Sequence, residues 1–240
     1  MKPLPNKAKI LIAVAVASGL AIFAKAMLGL GQVHDYPKFL AYLLVSVAAT
    51  RLRVSLPRMT SSMSVNLPFI LIALIELSLP EALMIAAAST FVQSFWPESK
   101  QRNLVQVAFN VSVLVIAAQS TWLTLHYGPH NAALAIVSGT LTVLLANTLP
   151  VAAIIGITEA GHVARVWTHI VQLTFPYYGF AAGIAGLVKL ANHAVGWQVP
   201  LFIMPAMFLV YWSYKFCFRQ MSESAAIPQA RSMAAGVGAH

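Results

Sequence analysis

Of the 240 residues, 59% are hydrophobic and only 9% are charged, and mean hydropathy is +0.77. Soluble globular domains carry about 25% charged residues, so composition excludes that class and points to an all-α, polytopic transmembrane helical bundle. The formal charge of +9 comes from 15 Lys and Arg set a few per loop, which leaves no basic face for nucleic acid. They are read instead as topology determinants that also attract anionic lipid headgroups.

Lys2, Lys7 and Lys9 precede the first apolar run, Ile10 to about Leu30. At about 20 residues it is long enough to span, so a retained first helix is expected rather than a cleaved signal peptide. Helix 2 is expected from about Lys38 to Thr50. After it come Arg51, Arg53 and Arg58 in a Pro-interrupted stretch whose Leu/Val alternation fits a short extended segment. Two short runs follow, Leu67 to Leu77 and Ala82 to Trp96. Runs of about 11 to 15 residues cover only about 17 to 22 Å of a hydrocarbon core about 30 Å thick. They are expected either to span twice, giving about eight spans, or to form a re-entrant hairpin beside six. Irregular backbone at membrane depth needs protein or a water-filled cavity around it, and transporters often build sites there.

Lys100 and Arg102 precede helix 5, about Leu104 to Leu125, and helix 6 follows at about Ala132 to Ile157. Thr158 to His169, with Arg165 and Trp167, is expected to be a connection containing an interfacial helix. Helix 7 is expected at about Ile170 to Leu190 and helix 8 at about Val199 to Phe216. The alternation of Lys and Arg puts both termini in the cytoplasm, N-in and C-in, of a bacterial inner membrane. Residues 1–9 are then a cytoplasmic N-terminus, 10–218 the transmembrane domain, and 219–240 a disordered cytoplasmic tail, Ala/Gly/Ser-rich without apolar periodicity. Tyr36, Trp122, Tyr127 and Trp197 fall at the outer helix ends of this map, and Trp96, Trp167 and Trp212 at the inner ends, as interfacial aromatics should.

Six acidic residues leave little room for catalysis. No P-loop, dinucleotide fingerprint, Gly-x-Ser-x-Gly or His-Glu-x-x-His string occurs, so no enzyme activity is expected. A single Cys217 excludes an internal disulfide framework and a Cys-based zinc site. Glu159-x-x-His162 occurs once, whereas a carboxylate-bridged metal site needs two such motifs on facing helices. No metal or cofactor is expected. Ser78-Leu79-Pro80-Glu81 reads as a capping box, which gives Glu81 a structural role. Glu76 has no such role and is a candidate site residue, since an intramembrane carboxylate is costly and usually functional or paired. The amides Asn66, Gln93, Gln106, Asn110, Gln119 and Asn147 lie in apolar surroundings. Each serves either as interhelical glue or as part of a polar pocket. The ligand-binding set expected from these residues is Asn66, Glu76, Gln106, Asn110 and Asn147, converging on one cavity.

Several strings resemble the N-terminal membrane region of bacterial signalling proteins of the HD-GYP and GGDEF type. They include Met63-Ser64-Val65-Asn66, Leu77-Ser78-Leu79-Pro80-Glu81, Gln106-Val107-Ala108-Phe109-Asn110, Ala146-Asn147-Thr148-Leu149-Pro150 and Phe175-Pro176-Tyr177-Tyr178. The likeness covers most of residues 10 to 216. It implies a sensor-like module, although the charged helix that would lead into an output domain is replaced by Gln220-Met221-Ser222-Glu223-Ser224 and the tail. The expected partners are the lipid bilayer and a separate cytoplasmic signalling subunit. The overall plan is also similar to the substrate-binding membrane subunits of energy-coupling factor transporters, which rely on a separate ATPase subunit, so a vitamin-type transport subunit is the alternative.

Overall fold

The computed structural model describes residues 5–28, 35–55, 62–95, 104–159, 161–195, 198, 203, 205, 207–213 and 215–217. Within them are α1 (Asn6–Met27), α2 (Tyr36–Ala49), β1 (Arg53–Ser55), β2 (Ser62–Ser64), α3 (Leu67–Glu76), α4 (Leu79–Phe95), α5 (Leu104–Tyr127), α6 (Ala132–Thr158) and α7 (Val163–Val195). Helical positions recur over 207–213. Four helices are long and apolar enough to cross a membrane: α1, α5, α6 and most of α7. The chain is therefore a helical membrane protein. The expected tail, 219–240, lies outside the described residues.

Two opposite ends organise the bundle. Lys38 near the start of α2 meets Glu76 at the end of α3, and the turn from Ser78 to Pro80 meets the ends of α1 and α5. We call this the Lys38 end. The hairpin β1–β2 and the starts of α1, α5 and α7 belong toward the opposite end, the hairpin end. Neighbouring helices α5, α6 and α7 run antiparallel. Gly139 packs on Leu125 and Thr121, and Asn147 bonds Tyr178.

Each helix is built for where it sits. α1 buries only Ala8, Ala15, Gly19 and Ala26, a seam of small residues on one face. A Cβ at Gly19 would stand 2.5 Å from the Cβ of Ser112, so glycine there lets α1 and α5 backbones approach closely. The other faces of α1 expose Ile10, Val14 and Leu20, as lipid contact requires. By contrast, α3 buries every residue from Leu67 to Leu74 and packs against α2, α4, α5 and α7. A helix apolar all round belongs inside. Hydroxyls in the long helices bond their own backbone, with Thr121 donating to the Ala117 carbonyl, Thr140 to Ile136, Thr148 to Leu144 and Thr174 to Ile170. That satisfies them without water.

One expectation is met and another changes in detail. The bundle includes a short antiparallel hairpin, pairing Arg53 with Ser64 and Ser55 with Ser62, where the alternation suggested extended chain. The segment expected as a separate interfacial helix is divided otherwise. α6 runs to Thr158, Gly161 N–H closes a turn on the Gly156 carbonyl at 3.0 Å, and α7 starts at Val163 and continues without a break through His169. Gly156 permits this tight return, since a Cβ there would lie 2.7 Å from Val163 Cγ2. Trp167 is consequently half-buried against α6, its indole N–H donating to Thr148 Oγ1 at 3.0 Å.

Candidate functional site

Leu67 begins α3 well inside the protein. Its backbone N–H donates to the hydroxyl of Tyr177 at 3.0 Å, and Tyr177 lies about 21 Å along a helix about 50 Å long. α3 therefore starts near mid-bundle and runs only to the Lys38 end. The first N–H groups of a helix lack intrahelical acceptors, and at this depth a side-chain hydroxyl serves one of them. The non-helical residues at the same level, Val65 and Asn66, are 2% and 6% exposed, which meets the requirement that irregular backbone be surrounded by protein. Tyr178, next along α7, accepts a hydrogen bond from Asn147 Nδ2 at 3.0 Å. Its ring stands edge-on to that of Tyr177, with centroids 6.1 Å apart. Of the five expected site residues, Asn147 joins α6 to α7 through Tyr178, and Asn66 immediately precedes the residue whose N–H meets Tyr177.

Glu76 lies at the other end of α3, about 15 Å from Asn66 by helix rise. Its carboxylate is 3.1 Å from Lys38 Nζ, and each side chain is 16% exposed. The same ammonium donates to the Glu76 backbone carbonyl at 3.2 Å, where a cation favours the negative end of the helix dipole. It also sits 5.8 Å from the ring centre of Tyr42. Asp35 holds α2 in place beneath it by accepting from Lys38 N–H at 3.1 Å. Glu81 forms the capping box: Ser78 N–H donates to its Oε2 at 2.9 Å, and so does Ser78 Oγ. Glu81 is 4% exposed, so its work is local to the start of α4.

Gln106 is exposed and Asn110 half-buried in the first turns of α5, toward the hairpin end and away from Glu76. The five expected residues do not share a cavity in this structure. The space at the Lys38 end is elsewhere: a cleft of about 520 Å³ between α1, α4 and α5, lined by Lys25, Ser78, Pro80, Gln119, Trp122 and Tyr127, with Ile22, Ala26, Leu79 and Leu123. Small-molecule sites typically enclose about 300–1,000 Å³. Trp122 stacks on His126 with ring centroids 4.0 Å apart and meets Tyr127 edge-on at 6.1 Å. The indole N–H of Trp122 is buried and has no acceptor among the described residues. Of these residues the sequence singled out Gln119 as a buried amide and Trp122 and Tyr127 as interfacial aromatics. Lys25, a lone cation near the far end of the first run, was the remaining signal.

A second cleft, about 410 Å³ and almost wholly apolar, runs between α6 and α7 past Val137, Leu141, Phe175, Gly179, Ala182 and Gly183. Among the described residues no three His, Cys, Asp or Glu gather as metal ligands would. In comparisons with protein-family models, curated proteins and solved structures, nothing matches this chain.

Proposed function

We propose that this protein is a sensor-like binding module of the bacterial inner membrane that takes a small ligand into the Lys38-end cleft and itself performs no chemistry. The observation that carries the proposal is the cleft itself. It is of ligand size and combines an aromatic wall with a few polar groups, as small-molecule sites do. The basic residues Lys7, Lys9, Arg51 and Arg165 lie toward the opposite end, so by the positive-inside rule the cleft faces outward, with both termini inside and about eight crossings, α3 being completed by the hairpin. A ligand bound there would touch the Ser78–Pro80 turn, which joins buried α3 to α4. The signal would be read by a separate cytoplasmic subunit.

Cysteine accessibility tests the site. In a Cys217→Ser background, Leu123→Cys should be labelled by a membrane-impermeant maleimide in intact cells. Labelling confined to inside-out vesicles would overturn an outward-facing cleft.

The second reading, a membrane subunit of a small-molecule transporter working with an ATPase complex, draws on one observation. A Cβ at Gly179 or Gly183 would meet nothing within 4 Å, so internal packing does not require glycine there, whereas a docked helix would. Co-purification of an ATPase with the intact protein, lost on Gly183→Leu, would favour this reading over the sensor.

A further inference from the structure

Resting on the assignment of the Lys38-end cleft as the ligand site, we infer that its ligand is a small anion, a carboxylate or phosphate attached to a planar apolar body. The lining contains one charged side chain, Lys25, which no described acidic residue pairs; the only ion pair among the described residues joins Lys38 and Glu76. The carboxylates nearest the turn are already engaged. Glu76 is held by Lys38, and Glu81 is buried with Ser78 donating to it twice, and neither lines the cleft. Ligand recognition therefore falls to Lys25 and to neutral groups. Among these, Trp122 supplies aromatic ring surface to the wall. Gln119 adds an amide and Tyr127 a hydroxyl. The Trp122 ring, with Leu79, Pro80 and Leu123, presents apolar surface to the rest of the guest.

Lysine also snorkels from helix ends to headgroups, so the same chemistry has two sources, a free aromatic anion and the phosphate of an outer-leaflet lipid. The test uses full-length protein in phosphatidylcholine nanodiscs and reads the shift in thermal unfolding with 2-naphthoate, with the uncharged 2-naphthylmethanol and with the cationic 2-naphthylmethylamine. The expected result is stabilisation by 2-naphthoate alone, weakened about tenfold in affinity, or about 1.4 kcal/mol, by Lys25→Gln, kept by Lys25→Arg, and weakened by Trp122→Phe. Lys25 is exposed, so Lys25→Gln should fold as the parent does. If 2-naphthoate has no effect but added phosphatidylglycerol stabilises the parent and not Lys25→Gln, the anion is a lipid headgroup, and the anion chemistry stands. Equal binding of the neutral or cationic probe, with Trp122→Phe still weakening it, overturns the anion inference and leaves the cleft as the site. If no probe and no lipid distinguishes the parent from Lys25→Gln and Trp122→Phe, the cleft is not a ligand site and the function proposed above falls with it.

Discussion

Glu76 and Glu81 flank the same turn and differ in what they hold. Glu81 satisfies the start of one helix, so Glu81→Gln, which keeps an acceptor and loses the charge, should cost about 1 kcal/mol. Glu76 neutralises a half-buried ammonium, and Glu76→Gln removes that countercharge, leaving neutral acceptors and the Tyr42 ring. A loss of about 2 kcal/mol is expected, below the range for a fully buried pair because both groups retain some solvent. A double-mutant cycle with Lys38→Gln, followed by denaturant unfolding in mixed micelles, checks the pairing, since zero coupling energy would separate the two side chains. Tyr177→Phe removes the acceptor of a buried N–H and should cost about 2 kcal/mol. Tyr178→Phe should cost less, because Asn147 is only half-buried and its amide can turn toward other partners.

At the scale of elements, glycine substitutions separate packed seams from open faces. Gly19→Val places a branched side chain where even a Cβ lies 2.7 Å from Ser112 Cα, so α1 must move off α5, at about 1–3 kcal/mol. Gly183→Ala meets open space and should be neutral or stabilising by up to about 1 kcal/mol. Thermal unfolding of the two purified variants decides between them, and equal losses would refute the assignment of the α1–α5 seam. Much of this element plan could be read from the chain. The apolar runs bounded by Lys and Arg gave α1, α5 and α6 to within a few residues, although α7 begins at Val163, seven residues before its expected start at Ile170, and Ser-x-x-Glu gave the start of α4, because both signals are local. What could not be read depended on partners far apart in sequence. Lys38 meets Glu76, Leu67 meets Tyr177 and Thr148 meets Trp167 only after the helices pack. Gln106 and Asn110 share a helix face as the spacing required, yet periodicity does not say which face the neighbours cover. The cleft was missed for the same reason, since its walls come from α1, α4 and α5 and none carries a motif.

For the whole molecule, the arrangement of charge makes orientation testable. His130 and His162 are both exposed and lie at opposite ends. In a Cys217→Ser background, His130→Cys should react with an impermeant reagent in intact cells and His162→Cys only after permeabilisation. The reverse pattern would invert the bundle and turn the Lys38-end cleft toward the cytoplasm.

The mid-bundle start of α3 also bears on how the chain is made. During synthesis, an apolar segment of 10 residues is too short to be held across the bilayer as a crossing of its own. Its lid, Tyr177, is translated 110 residues later than Leu67. Until α7 leaves the ribosome, the buried N–H of Leu67 has no tyrosine to meet, and α3 has lost one of the walls that enclose it. Insertion of this region should therefore be provisional and become fixed late. Nascent chains arrested after α5 should leave Ile70 and Ile72, each 1% exposed in the finished fold, open to cysteine labelling. Chains arrested well beyond α7 should protect them.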